Sequence, residues 1–216
     1  MNLPVLMEGA ALFGLRPDEQ ATVKFATFME ELKRWNRSIN LTAIRHDKQI
    51  ILKHFIDSIA IAPHIPDNAT MLDVGSGAGF PSIAVAIMRP DLRVTSIDTV
   101  DKKARFQRHI CRVLRLDNVT VLHGRVEELS LSGKSGFDIV TSRAFSDVGR
   151  FAELASHLVA PGGLMLPMLG ANTVITDDKL KYMEQNHGLF LTQKTAYSLP
   201  EGAGKRLILA FRRNSP

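Results

Sequence analysis

The chain has 216 residues, of which 45% are apolar and 23% charged, a balance that excludes a disordered chain and supplies enough apolar mass for one well-filled domain. Lys and Arg outnumber Asp and Glu by 27 to 22, a net charge of +5 that suits a polyanionic partner without specifying one. The single cysteine, Cys111, excludes an internal disulfide and any multi-cysteine zinc site, and no segment is apolar for long enough to span a membrane. Pro4 and Glu8 stand early with no basic leader before them, so a cytoplasmic protein is expected.

The first third reads as helical. Pro17-Asp18-Glu19 is a helix start, and Ala21, Phe25, Phe28, Met29, Leu32 and Trp35 then recur on one stripe. A second helix is expected from His46 to about Ala60, stopped by Pro63 and Pro66. From Ala69 strands alternate with helices: strand Thr70–Val74, helix Pro81–Met88, strand Arg93–Ile97, helix Asp101–Arg115, strand Val119–Leu122, strand Phe137–Thr141, helix Val148–Leu158, strand Gly163–Met168 and helix Lys179–Gln185. Two strands, Phe190–Ala196 and Leu207–Phe211, close the chain as an antiparallel hairpin at one edge. The expected fold is α/β: a doubly wound, mostly parallel, seven-stranded Rossmann-like sheet under an N-terminal helical cap. Residues 1–66 form the cap and 67–216 the core, together one compact domain.

Asp73-Val-Gly75-Ser76-Gly77-Ala-Gly79-Phe80-Pro81 follows a strand and opens a helix, so its glycines let backbone N–H groups approach a ligand closely. The dinucleotide fingerprint needs glycine where Phe80 stands, which disfavours a nicotinamide enzyme. Asp-x-Gly-x-Gly-x-Gly fits without mismatch and resembles the first motif of class I S-adenosylmethionine (SAM) methyltransferases. Asp98, at the carboxyl end of the next strand, is placed to accept hydrogen bonds from ribose hydroxyls.

Further motifs agree in order and spacing: Trp35-Asn36, Ile39-Asn40-Leu41-Thr42, His54-x-x-Asp57-Ser58, Arg125-x-Glu127-Glu128 and Ser142-Arg143-Ala144-Phe145. With the glycine loop they resemble the bacterial RsmG (GidB) family, from about Leu3 to Phe211. The resemblance implies methylation of a guanine N7 in 16S ribosomal RNA with SAM as donor. It also implies SAM contacts at Gly75, Phe80, Val126, Glu127 and Arg143. Two stretches depart from the family pattern: Ser82-Ile83-Ala84 stands for Gly-Ile-Pro, and Leu169 stands where the family often carries lysine before Gly170.

Guanine N7 has an in-plane lone pair and needs no deprotonation, so the chemistry asks mainly for alignment and exclusion of water. The amino-methyltransferase motif Asn/Asp-Pro-Pro-aromatic is missing after the fourth strand, and Cys111 lies in a predicted helix, away from the strand ends where a nucleophile would act. Arg143, His54 and Asp57 are the candidate catalytic residues. Arg143 would orient cofactor or the guanine O6 edge, or else pair with Asp147. His54 and Asp57 either line the substrate mouth or dock the cap onto the sheet, where Asn40 would join them. The cofactor set is Asp73, Gly75, Ser76, Gly77, Gly79, Phe80, Asp98, Val126, Glu127 and Arg143. No metal site is expected, because His54 has no second ligand cluster.

Residues 1–100 hold ten Lys and Arg against eleven Asp and Glu, so the excess of positive charge lies beyond residue 100. Helix Asp101–Arg115 carries a stripe of bases, with Phe106, Ile110 and Val113 expected on its core face. Lys102, Lys103, Arg105, Arg108, Arg112, Arg125 and Arg206 are the candidate RNA contacts. The expected partner is 16S rRNA or the small ribosomal subunit, met by a monomer with no membrane association. Another RNA or a small molecule remains the alternative acceptor.

Overall fold

The computed structural model describes residues 1–131, 135–143, 145 and 147–214. Its first helix, α1 (Leu3–Ala11), lies ahead of any helix the sequence pattern predicts; Asn2 caps it by accepting from Val5 N, and Leu6 and Ala10 are buried beneath it. Helix α2 (Glu19–Asn36) is capped by Asp18, whose carboxylate accepts from Ala21 N at 2.7 Å. Pro17 therefore stands just outside the helix rather than in its first turn. The predicted stripe of Ala21, Phe25, Phe28, Met29 and Leu32 is buried.

The second predicted helix is continuous but not uniform. It runs through α3 (Asp47–Ile50), a π-helical segment (Ile51–Ile56) and α4 (Asp57–Ile59). No residue in Ile51–Ile56 announces the wider turn, which belongs to the contacts described below.

The rest alternates as expected. The elements are β1 (Thr70–Val74), α5 (Ser82–Met88), β2 (Arg93–Asp98), α6 (Asp101–Leu114), β3 (Val119–His123), β4 (Phe137–Ser142), α7 (Val148–Ala155), β5 (Val159–Gly170), α8 (Asp177–His187), β6 (Leu189–Leu199) and β7 (Gly204–Arg213). The sheet order is β3-β2-β1-β4-β5-β7-β6; the first five strands pair in parallel, and β7 runs antiparallel between β5 and β6. Alternate residues of β1 serve opposite faces: Leu72 and Val74 join Phe151 and Ala155, while Met71 joins Val85 and Ile139. A third cluster ties cap to core by bringing Phe25, Phe28 and Phe55 against Phe80, Ile83 and Phe106.

Two side chains depart from expectation. Val113 is 40% exposed, and the core face of α6 is instead Ala104, Phe106, Gln107, Ile110 and Leu114. Leu169 is buried among the apolar residues under α7 and α8, so this position presents no polar surface.

Candidate active site

Strand order reverses between β1 and β4, and ligands of such sheets bind at the carboxyl ends of the strands flanking that reversal. The chain leaves β1 through Gly75, Gly77 and Gly79, all at positive φ (71°, 59° and 91°). At Gly79 the need for glycine is twofold, because a Cβ would also lie 2.5 Å from Ile83 Cδ1. Behind the loop, Asp73 is fully buried and accepts from Ser82 N at 3.0 Å, fixing the start of α5. Burial raises its pKa to about 7 against the opposing Ser82 hydrogen bonds. Asp73 thus supports the loop from beneath.

The second support was not read from the sequence. Gln107 is completely buried; its Oε1 accepts from Ser96 Oγ at 2.6 Å, and its Nε2 donates to Ser76 Oγ and Gly77 O, both at 2.8 Å. Its signal was available, since an amide on the apolar face of α6 requires partners. Asp98 completes the loop's support. One carboxylate oxygen accepts from Gly77 N and the other from Val100 N, each at 2.8 Å.

A cleft of about 320 Å³ opens beside these groups, lined by Gly75, Asp98, Gly124, Val126, Glu127 and Phe145 among others. Its features fit the SAM nucleoside. Ile97, Val126, Phe145 and Leu154 offer apolar walls to a flat ring. Asp98, 6% exposed, has spent one acceptor site per oxygen, and a carboxylate has about four, so capacity remains for ribose hydroxyls. A Cβ at Gly124 would meet no atom within 4 Å, so the glycine leaves that wall open. Lys103 and Arg125 also line this cleft.

A smaller cleft of about 180 Å³ adjoins it, with Gly75 lining both. Its walls are Leu41, Thr42, His54, the loop from Gly75 to Ala78, Phe80 and Arg143. His54 stacks on Phe80, with ring centroids 4.5 Å apart and planes at 6°, and its Nε2 lies 2.8 Å from Thr42 Oγ1. Burial, with the Arg143 cation second, pushes the His54 pKa down to about 3, so the ring is neutral near pH 7. The loop carrying Thr42 is held by Asn36, which accepts from Leu41 N and Thr42 N and donates to Thr42 O. Asn36 thus holds the cap loop that meets His54, while Asn40 is exposed.

Arg143 directly follows β4, whose Ser142 hydroxyl donates to Val74 O at 2.6 Å and so ties the ends of β4 and β1 together. The guanidinium donates to Ser58 Oγ at 2.8 Å, Lys53 O at 3.2 Å and His54 O at 3.4 Å, and it lies 5.9 Å from the Phe80 ring centre. The π-helical segment is therefore where helix carbonyls are spent on an arginine from the sheet. The expected alternative partner, Asp147, instead binds Lys179 at 2.7 Å. Ala144, within the Ser142–Phe145 motif, lies outside the described residues.

Asp57 is buried but does not line the small cleft. It accepts from Tyr197 Oη at 2.8 Å and Arg206 Nε at 3.2 Å, and stands 3.8 Å from Arg143 Nη1. Arg206, expected on the RNA face, is turned inward by this pair. On α6, Lys102, Arg105, Arg108 and Arg112 are all exposed; Arg105 pairs with Asp101, Arg108 donates to Val121 O and Arg112 approaches the His109 ring. Cys111 sits in α6 with burial raising its pKa to about 11, so its thiol is protonated and a poor nucleophile. Among the described residues there is no cluster of three metal-ligating side chains, and no helix is long and apolar enough to cross a membrane.

Residues 21–206 match the GidB family model, described as rRNA small subunit methyltransferase G. Ribosomal RNA small subunit methyltransferase G of Geobacter sulfurreducens is 38% identical over 205 residues, covering 95% of this chain and 94% of that protein. The protein of the same description from Methylobacillus flagellatus is 44% identical over 165 residues, covering 76% and 79%. Among solved structures, a SAM-dependent methyltransferase from Aquifex aeolicus superposes with a TM-score of 0.59 at 16% identity, covering 86% of this chain and 97% of that one. The M. jannaschii tRNA m1G37 methyltransferase gives 0.57 at 16% identity, covering 78% and 48%. The two structures share the fold, the relatives share the sequence along its length, and the chain belongs to the GidB family of small-subunit rRNA methyltransferases.

Proposed function

We propose that the chain methylates N7 of a guanine in 16S ribosomal RNA, the acceptor entering the small cleft beside Gly75. The observation that carries this reading is a cleft built for alignment and lacking a working base. His54 is neutral, has a pKa near 3, and is stacked flat on Phe80. Asp57, the nearest carboxylate to Arg143, is committed to Tyr197 and Arg206. Among the described residues that line the small cleft, His54 is the one that could take up a proton, and its lowered pKa unsuits it to that work, whereas N7 carries its lone pair already.

SAM, when bound, supplies a methyl group on a sulfonium whose leaving group is a neutral thioether. The residues' work is then positional. Asp98 and the walls around Val126 would hold the nucleoside, with Glu127 and Lys103 at the rim. The stacked pair of His54 and Phe80 forms one wall of the small cleft, against which a purine would be guided toward Gly75. Among the described residues three of the five guanidinium N–H groups of Arg143 are spent on the cap, and the other two would serve guanine O6. Pairing at O6 leaves the N7 lone pair free to attack.

The test is incubation with methyl-labelled SAM and small subunits lacking the modification, followed by mapping of the label. Label at a guanine N7 in 16S rRNA is expected, and Arg143→Ala should lower kcat by roughly a hundredfold while the SAM affinity changes little. Label on the protein, none on RNA, or an Arg143→Ala enzyme with unchanged turnover would overturn the reading.

A further inference from the structure

Next to the small cleft lies a slot of about 150 Å³, lined by Leu32, Lys33, Asn36, Arg37, Thr42, Ile44, Arg45 and Ile50. Thr42 lines both spaces, so the slot adjoins the acceptor cleft on the side of the cap. At about 30 Å³ per water it holds roughly five waters, the scale of one flat ring system rather than of a second cofactor. Its floor is apolar, with Leu32 and Ile50 fully buried and Ile44 half-buried.

The rim is cationic. Lys33 is paired with Asp47 at 2.5 Å, but Arg37 and Arg45 are exposed and, among the described residues, have no ion-pair partner. Basic residues at the end of α2 have an ordinary explanation, since cations stabilise a helix carboxyl terminus. That explanation covers Lys33 and Arg37 but not Arg45, which follows the Asn36-clamped loop and still faces the same slot. Counted over residues 1–100 the charges cancel; folding gathers these three cations at one opening.

We propose that this slot receives a base flanking the target guanine, unstacked from its neighbour, with its phosphate held by Arg37 and Arg45. The inference rests on the reading of the adjoining cleft as the guanine site and assigns the cap a role in RNA recognition. An apolar floor accepts either face of a base, and two free guanidinium groups at its mouth complement a backbone phosphate. A single-stranded target is implied, because paired bases present no free faces to a slot.

The experiment uses the full chain and unmodified 16S rRNA as probe, with three variants: Arg37→Gln/Arg45→Gln together, the same pair changed to Lys, and Ile44→Trp to fill the slot. The double Gln variant should raise KM for rRNA roughly tenfold. It should also make the slope of log affinity against log salt shallower by about 1.4, two contacts at about 0.7 each. SAM affinity and melting temperature should stay put, and the Lys pair should restore the slope. Ile44→Trp should weaken rRNA binding with the salt slope retained. If the wild type methylates rRNA but the Gln pair keeps both KM and slope, or Ile44→Trp binds as tightly as wild type, the slot assignment is overturned alone. If the wild type leaves 16S rRNA unlabelled, the guanine-site reading fails and takes the slot with it.

Discussion

Replacing Asp57 with Asn removes one negative charge and almost no volume, so its effect isolates electrostatics at the cap–sheet junction. The carboxylate is 5% exposed and faces two guanidinium groups plus the Tyr197 hydroxyl. Breaking a buried ion pair costs about 3–5 kcal/mol when one charge is left fully buried. Here the side chains of Arg143 and Arg206 are 20% and 25% exposed, so water compensates part of the loss. The Asn oxygen also still accepts from Tyr197. One charge-assisted hydrogen bond, about 2 kcal/mol, is the remaining loss. For a chain of this length that corresponds to a fall in Tm of about 4–8 °C. The change should also loosen Arg143, because its anchoring at Ser58 and Lys53 then lacks the neighbouring charge. Calorimetry near neutral pH and single-turnover methyl transfer to rRNA measure the two effects separately. A Tm within about 1 °C of wild type, with kcat intact, would refute the view that Asp57 is a positioning hub.

The remaining expectations concern the loop and the buried ring. Gln107→Leu strands Ser96 Oγ, Ser76 Oγ and Gly77 O, so it should destabilise by about 1–3 kcal/mol in urea titration and weaken SAM binding measured by calorimetry. Gly79→Ala forces a side chain into positive φ and against Ile83, and should weaken SAM binding and lower Tm, measured by calorimetry. His54 has a folded pKa of about 3 against 6.5 when free, so the unfolded chain takes up a proton that the folded one refuses. Its contribution to stability is complete above pH 6.5 and is lost as pH falls toward 3. The urea midpoint of His54→Gln should therefore depend less on pH than that of wild type across that window.

Where the determinants are local, the sequence was legible. Strand and helix alternation follows from side chains two and 3.6 residues apart, and the glycine loop was readable because three glycines within five positions have few other uses. The Asp98 position followed from its place at a strand end. What escaped depends on partners far away in the chain. Asp57 meets Tyr197 and Arg206, 140 and 149 residues downstream, and nothing near Asp57 tells which cations reach it. For the same reason Arg206 read as a surface base, and Asp147 stood as the alternative partner of Arg143. The π-helical segment was equally hidden, since its widened turn is matched to a guanidinium arriving from β4. Gln107 is the instructive miss: its position on the apolar face was visible, but the alternation of Phe106 and Ile110 around it read as a complete stripe.

The aromatic cluster that joins cap to core also constrains how such a protein changes over time. Phe28 stacks on one side of the glycine-loop residue Phe80, at 5.1 Å, and His54 on Phe80 at 4.5 Å. The residue that shapes the donor loop is thus packed against two side chains of the cap helices, one of which, His54, lines the acceptor cleft. A cap exchanged for another, in evolution or by design, would have to bring its own ring to both contacts or leave the glycine loop without its packing. Choice of acceptor and grip on the donor are in this way heritable only as a pair, and variation in substrate preference should accumulate at the cap's rim rather than along its buried stripe.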